Sequence, residues 1–223
     1  MRKSYLVSTA LASGVAMTGA AAAQDISLRG FGGVQIGGNL EATVSLDVDG
    51  PTSYTLENSD DVDLENGFIV GGALGVKIGD VTIDLEGAFR DVGEIVFDVP
   101  DYYGGGTVSY DVEANLYSAM VNGWYELPLT PQLGLYAGAG IGLAYLDVDE
   151  DIDAKAAFAF QLGAGVRVNI TDNVAIGGGY RYFSAMGLID DSYSEVYGAY
   201  TLTYGYELDY TESSFIVEAV FSF

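Results

Sequence analysis

The chain has 223 residues, no cysteine, no histidine and a formal net charge of −24. Without cysteine it forms no disulfides and has no thiolate chemistry, and a chain this acidic is no partner for nucleic acid. Because 49% of the residues are hydrophobic, the sequence is also not that of a disordered protein. The length is consistent with a single all-β domain.

The first residues have the pattern of a secretory signal peptide. Arg2 and Lys3 precede a short apolar run, and the alanines at 21–23 fit the small-residue cleavage rule. An uncleaved membrane anchor fits less well, because the run is short and rich in Ala, Ser, Thr and Gly. We therefore expect residues 1–23 to be removed and residues 24–223 to form the mature domain.

Alternating apolar and small or polar residues predict β-strands along the rest of the chain. The clearest example is the segment 157–183, in which two strands flank a tight turn at 170–173. A period of two places alternate side chains on opposite faces of a sheet. The same alternation predicts strands at 27–41, 68–78, 81–90, 114–127, 135–145, 157–169, 174–183 and 215–223.

The connections between these strands alternate between long and tight. Tight turns are predicted at 79–80, 128–131 and 170–173, and long polar connections at 41–66, 91–113, 147–156 and 186–212. Strands of about ten residues with this asymmetry are typical of an outer-membrane barrel with short periplasmic turns and long external loops. The sequence therefore predicts an eight-stranded antiparallel up-and-down transmembrane β-barrel.

The facing of some segments is less regular. We call the alternating positions that carry the large apolar residues the oily phase, and expect it to face lipid. In the first strand, Leu40 lies on this oily phase. In the strand at 114–127, the pattern leaves Met120 and Trp124 inside the barrel or near its rim. The 95–99 segment keeps the oily phase of the strand before it, so that strand could run on past the membrane. The tyrosines of 200–210 alternate out of phase with the last strand, and we expect a bulge or turn at 211–214 to resolve this.

The charged residues of the strands share the phase that is not oily. This phase is mostly Gly and Ala, which suits the narrow interior of an eight-stranded barrel better than a surface in water. Buried guanidinium groups need carboxylate partners, so we predict an interior network of ion pairs. Its members are Arg29, Lys77, Asp84, Glu86, Arg90, Arg167, Arg181 and Glu218, with Glu126 as a further candidate on the same phase.

Three segments carry a family resemblance: QLGAGVRVNITDNVAIGGGYRYF, LYAGAGIGLAYL and MVNGWYELPLTPQ. They resemble the small outer-membrane β-barrels, a family that includes OmpA-type barrels, OmpX-like proteins and opacity-type surface antigens. The resemblance implies an integral protein of the bacterial outer membrane, in contact with lipid and lipopolysaccharide. It also implies that the barrel-assembly machinery reads the last strand, with Phe221 and Phe223 as the signal. The run Glu218-Ala219-Val220 departs from the usual Gly- and Arg-bearing pattern of that strand.

Little in the sequence indicates catalysis. Without histidine the chain cannot build a Ser-His-Asp arrangement, and without histidine or cysteine it has no zinc site of the usual kind. We expect no enzyme activity and no cofactor.

The acidic connections are the other candidate for chemistry. Most of their acids are explained by solubility and mutual repulsion. Asp147, Asp149, Asp151 and Asp153 alternate, however, and form a candidate site for a Ca²⁺ ion that lipopolysaccharide phosphates would share. The glycine that turns an EF-hand loop is missing.

The sequence therefore predicts a non-enzymatic surface protein with a structural or adhesive role, acting through long acidic external loops on a host or surface ligand. The alternative is a narrow channel for ions or small solutes, against which the filled interior argues. A soluble ligand-binding barrel is a third possibility, which extraction without detergent would reveal.

Overall fold

The computed structural model describes residues 25–64, 67–100, 107–148 and 156–223, almost all of them in strands. Among these residues, no helix is long and apolar enough to cross a membrane. The predicted signal peptide lies outside the described residues. The strands are β1 (Asp25–Asp49), β2 (Tyr54–Leu64), β3 (Phe68–Ile78), β4 (Val81–Pro100), β5 (Thr107–Pro128), β6 (Leu133–Val148), β7 (Ala156–Asn169), β8 (Val174–Tyr197) and β9 (Tyr200–Ser222).

Eight of the strands close into an antiparallel ring. From β3 to β9 each strand pairs with the next in the chain, and β1 closes the ring by pairing with both β3 and β9. The ninth strand, β2, pairs with residues 38–48 of β1, on the same edge of β1 that pairs with β3 at residues 25–34. This closed ring confirms the predicted eight-stranded up-and-down barrel. Closure satisfies the backbone hydrogen bonds of the ring without leaving an unpaired sheet edge.

The two phases of each strand face opposite sides of the barrel wall. The outward phase forms an exposed apolar belt, which includes Leu74, Ile141 and Val217. Phe89 contacts Phe68 and Tyr117 on either side, with ring centroids 5.8 and 5.3 Å apart. Such an aromatic girdle marks the boundary between lipid and water. The inward phase is buried, and there Met120 and Trp124 lie inside the barrel.

The barrel strands continue well beyond the belt, contrary to the predicted long connections. Most of the residues predicted as loops at 41–66, 91–113 and 186–212 belong to strands, which turn back near Gly50 and at Gly198. Gly198 has φ of 65°, the left-handed conformation that a tight hairpin turn requires. The sequence pattern did not reveal these strand segments because they are rich in acidic residues. Acidic residues on one face of a strand weaken the apolar alternation, and the segment then resembles a polar loop.

The register of the barrel shifts in three strands, and the shift in β1 explains one of the irregular phases. In β1 the register shifts between Gln35 and Gly37, so Leu40 points into the barrel and not towards lipid as predicted. A second shift, in β8, lies between Ala185 and Ile189. The expected bulge at 211–214 is wrong, since β9 keeps one phase throughout and its tyrosines share the inward phase of Glu218.

A third shift separates Asp91 from Gly93 in β4, and Val92 is fully buried. The prediction that 95–99 keep the oily phase concerns side chains that lie outside what the structure describes. The backbone of this segment does continue as a strand, paired with β5 as far as Pro100.

Candidate functional site

The middle of the barrel is crossed by ion pairs centred on Glu86. Its carboxylate accepts hydrogen bonds from Arg29 at 2.7 Å and from Arg181 at 2.8 Å, and all three residues are almost completely buried. Arg29 also contacts Asp84 at 2.8 Å. The neutral Asn122 donates to Asp84 at 2.7 Å. Strands β1, β4, β5 and β8 therefore meet across the lumen through charge-assisted hydrogen bonds.

A second layer of ion pairs lies at the end of the barrel with the tight turns. Glu126 contacts both Lys77, at 2.8 Å, and Arg167. Arg167 also contacts Glu218 at 2.5 Å, and Glu218 lies 3.5 Å from Arg29. This layer lines a cavity of about 330 Å³ that opens at the turn end and reaches inward as far as Trp124 and Arg29.

Towards the loop end the filling becomes apolar. Arg90 there contacts Glu212 at 2.9 Å and donates to Ser118 at 2.6 Å. Around and above this pair the lumen is closed by buried hydrophobic side chains. We call this set the apolar layer; its fully buried members include Leu116, Met120, Phe183, Leu188 and Tyr210.

Aromatic rings separate the guanidinium groups along the axis. Arg90 lies 3.7 Å from the centroid of Phe183, and Arg181 lies 4.4 Å from that of Phe31. Arg29 lies 5.0 Å from the centroid of Trp124, within the range of a cation–π interaction. The rings thus stabilise the buried cations and fill the space between the ion pairs.

Among the described residues, the charges that form ion pairs in the lumen balance. Its cations are Arg29, Lys77, Arg90, Arg167 and Arg181, and its anions are Asp84, Glu86, Glu126, Glu212 and Glu218. Equal numbers of each sign are what burial demands, since an unpaired charge in this environment is costly. The strongly negative net charge therefore resides outside the lumen.

The structure brings together all eight residues of the predicted network and adds two. Glu126 was only a candidate from sequence, and Glu212 was assigned to an external connection, whereas it is buried beside Arg90. Its position on the same phase as Glu218, in one uninterrupted strand, is the signal that sequence reasoning missed. The aromatic residues between the cations were also not identified.

The structure does not show a binding geometry at the predicted Ca²⁺ site, and it places the two terminal phenylalanines on the outer surface of the barrel. Asp147 is exposed on β6, and Asp149, Asp151 and Asp153 lie outside the described residues. Within the described part of the chain, no group of three acidic residues is arranged to hold a metal ion. Phe221 and Phe223 are both exposed at the turn end of the belt, where Phe223 donates its backbone N–H to Ile26 at 2.9 Å.

Beyond the belt, four strands form a single antiparallel sheet, which we call the external sheet. It comprises β2, the 37–49 part of β1, the 200–212 part of β9 and the 187–197 part of β8, side by side in that order. At ~3.3 Å per residue the sheet extends roughly 40 Å along β1. The external region is thus regular structure that continues the barrel wall.

The two faces of the external sheet differ in chemistry. Its outward face carries hydroxyl groups and acids that bond to one another, as Thr43 does to Ser59 at 3.1 Å and Thr55 to Asp47 at 2.6 Å. Its other face continues the inward phase of the barrel and carries aliphatic and tyrosine side chains. We call it the tyrosine face; it includes Val44, Leu46, Tyr54, Leu56, Tyr193, Tyr197, Tyr200, Leu202, Tyr204 and Tyr206.

A closed ring of eight strands, an outward apolar belt with an aromatic girdle and a lumen filled by paired charges together define an integral outer-membrane β-barrel protein. The family described as "Outer membrane protein beta-barrel domain" matches residues 8–221, almost the whole chain. The chain belongs to this family, and it is an integral protein of the bacterial outer membrane.

Solved structures with a similar fold include Neisserial surface protein A, with 16% identity, a TM-score of 0.45 and coverage of 86% of this chain and 99% of that one. OprG of Pseudomonas aeruginosa is similar with 13% identity, a TM-score of 0.48 and coverage of 90% and 96%. AlkL is similar with 15% identity, a TM-score of 0.40 and coverage of 100% and 97%. No curated protein sequence matches the chain. The family assignment rests on the family match and not on these structures.

Proposed function

We propose that this protein is a closed, non-enzymatic barrel that anchors a structured adhesive surface outside the outer membrane. The observation that carries the proposal is the filled lumen: balanced ion pairs cross its middle, and the apolar layer lies between them and the loop end. A lumen filled in this way supports an anchor better than a conduit, because an ion would have to displace both fillings.

The non-enzymatic part of the proposal rests on where the acids lie. Histidine and cysteine are absent from the sequence, and the carboxylates of the lumen have arginine or lysine partners that account for their burial. Glu86 and Glu218 each face two cations. The two lumen carboxylates that border the cavity at the turn end, Asp84 and Glu126, are likewise paired with cations.

A narrow channel is the second candidate, and the cavity at the turn end favours it. This cavity of about 330 Å³ already brings water-sized space to Arg29 in the middle of the barrel. Only the remaining path, from the central ion pairs to the loop end, separates it from the outside.

Conductance in planar lipid bilayers distinguishes the two. We expect the purified full chain, shown to be folded by its heat-modifiable gel mobility, to give no stable single-channel events at neutral pH. A large and lasting conductance from protein that is folded by this criterion would overturn the closed-barrel proposal and favour the channel.

A further inference from the structure

The tyrosine face is an exposed apolar surface in a part of the protein that lies outside lipid. Tyr193 is 57% exposed and Leu56 59% exposed, although both share the phase that is buried lower in the barrel. The girdle of Phe68, Phe89 and Tyr117 lies below this region, so lipid does not cover it. Exposed apolar patches of this kind mark interaction surfaces.

The charge around this face is of one sign. Every described basic residue belongs to the ion pairs of the lumen, so the described part of the external sheet carries acids without bases. Exposed examples are Glu41, Glu57, Asp60, Asp61 and Glu207. A partner of positive charge is attracted to this region, whereas a second copy of the same sheet is repelled.

One cluster on the tyrosine face combines both properties. Glu195 accepts hydrogen bonds from the hydroxyl groups of Tyr193 and of Tyr197, the latter at 2.6 Å. On the neighbouring strand, Tyr204 stacks on Tyr193 with centroids 6.3 Å apart, and Tyr200 is paired in register with Tyr197. We call these five residues the tyrosine–glutamate cluster.

The cluster suits a basic side chain. A carboxylate surrounded by phenol rings offers an ammonium or guanidinium group both charge and aromatic faces, the two components of cation–π recognition. Hydrogen bonds from Tyr193 and Tyr197 lower the pKa of Glu195 below its usual value, so this carboxylate stays ionised at neutral pH. Leu202, the in-register partner of Glu195, and the aliphatic residues farther along the same face, such as Val44 and Leu56, supply apolar contact area for the rest of a ligand.

We propose that the tyrosine face is a docking surface for a cationic amphipathic polypeptide segment, with the tyrosine–glutamate cluster receiving one of its basic side chains. This deepens the surface role proposed above and rests on it. The apolar side chains of the segment pack on the aliphatic and tyrosine residues, and its charge matches the acids of the external sheet.

The probe is a fluorescently labelled synthetic peptide of leucine and lysine, added to the full chain in nanodiscs of zwitterionic lipid and followed by anisotropy. Two peptides of the same length serve as references, one with serine for leucine and one with glutamate for lysine. Empty nanodiscs measure binding to lipid alone. We expect saturable binding of the leucine–lysine peptide above the empty-disc level, and at least about tenfold weaker binding of both references, since each lacks one of the two components.

Matched variants locate the site. Glu195→Gln and Glu207→Gln remove the same charge, but Glu207 lies on the outward face of the sheet. Tyr193→Ser and Val196→Ser both shorten an exposed residue of β8, on opposite faces. We expect the two changes on the tyrosine face to weaken binding about fivefold each, and the two on the outward face to change it less than twofold.

Three results would overturn the proposal. Equal weakening by Glu195→Gln and Glu207→Gln would mean general attraction to an acidic surface. Equal binding of the serine-containing peptide would mean that apolar contact plays no part. No binding above that of the empty discs would remove the docking surface altogether. None of these results would change the conductance of the barrel, so the closed-barrel proposal would stand or fall separately.

Discussion

Glu86 is the carboxylate that joins two buried guanidinium groups, those of Arg29 and Arg181. For Arg181 it supplies the one ion pair that the described residues show, whereas Arg29 also contacts Asp84. Loss of this carboxylate would leave a cation without a partner in the centre of the lumen. Breaking a buried pair in this way costs about 3–5 kcal/mol.

Glu86→Gln should therefore lower the free energy of unfolding by about 3–5 kcal/mol, since glutamine keeps the shape and removes the charge. Trp124, the single tryptophan, lies beside the network and reports urea-induced unfolding of the protein in lipid vesicles by its fluorescence. The control, Glu207→Gln, removes an exposed acid and should change the free energy by no more than about 0.5 kcal/mol. Equal effects of the two variants would show that the network contributes no net stability.

Individual residues differ in how far the sequence reveals their position. The facing of Arg167 and Arg181 could be predicted because each lies in a strand with strict alternation on both sides. Glu212 could not, because the acidic residues near it hide the strand to which it belongs. Trp124 was ambiguous since a bulky aromatic residue fits either lipid or a lumen; its hydrogen bond to Asp84, 3.1 Å long, and its contact with the Arg29 guanidinium explain its place inside.

At the scale of strands, glycine makes room for the large rings of the lumen. A Cβ atom on Gly165 of β7 would lie 2.7 Å from the ring of Tyr136 and 2.4 Å from the carbonyl oxygen of Gly178. Gly138 of β6 stands in the same relation to Trp124, at 2.4 Å. Strands β6 to β8 are therefore glycine-rich where the rings lie across them.

Gly165→Ala should destabilise the barrel by about 1–3 kcal/mol, the usual result of overpacking. Gly123→Ala is the matched control, because a Cβ atom there has no neighbour within 4 Å; it should leave stability unchanged or raise it by about 0.4–1 kcal/mol. Urea unfolding followed by gel mobility measures both. The steric argument fails if the two substitutions have the same effect.

The strands within the membrane belt were mostly predictable, and the exceptions have two causes, acidic strand segments that were read as loops and a bulge in β1. The tight turns and the bounds of β3 follow directly from the alternation, because Phe68–Ile78 has one phase from end to end. The bulge at Gln35 and Gly37 adds one residue to β1 and reverses the facing of everything after it, including Leu40. A sequence pattern does not mark such a residue as extra, since the pairing of β1 with β9 determines it.

At the scale of the whole molecule, two fillings close the lumen in series. The central ion pairs occupy the cross-section with polar groups, and the apolar layer above them excludes water. If the barrel is closed as proposed, either filling alone acts as a barrier, the first by volume and the second by the cost of hydrating an apolar constriction. This arrangement also separates charge, because the described basic residues lie in the lumen and the acids outside it give the external region its negative charge.

Opening the barrel should therefore require both fillings to be thinned. Glu86→Ala with Arg181→Ala removes a whole ion pair and leaves neither of the two charges behind, and Leu116→Ala with Leu188→Ala thins the apolar layer. We expect neither double variant to give stable single-channel events in planar bilayers, and the quadruple variant to give them, with a conductance that rises with salt. Gel mobility shows that each variant is folded. Conductance from the ion-pair variant alone would mean that the apolar layer is no barrier, and conductance from the leucine variant alone would mean the same of the ion pairs.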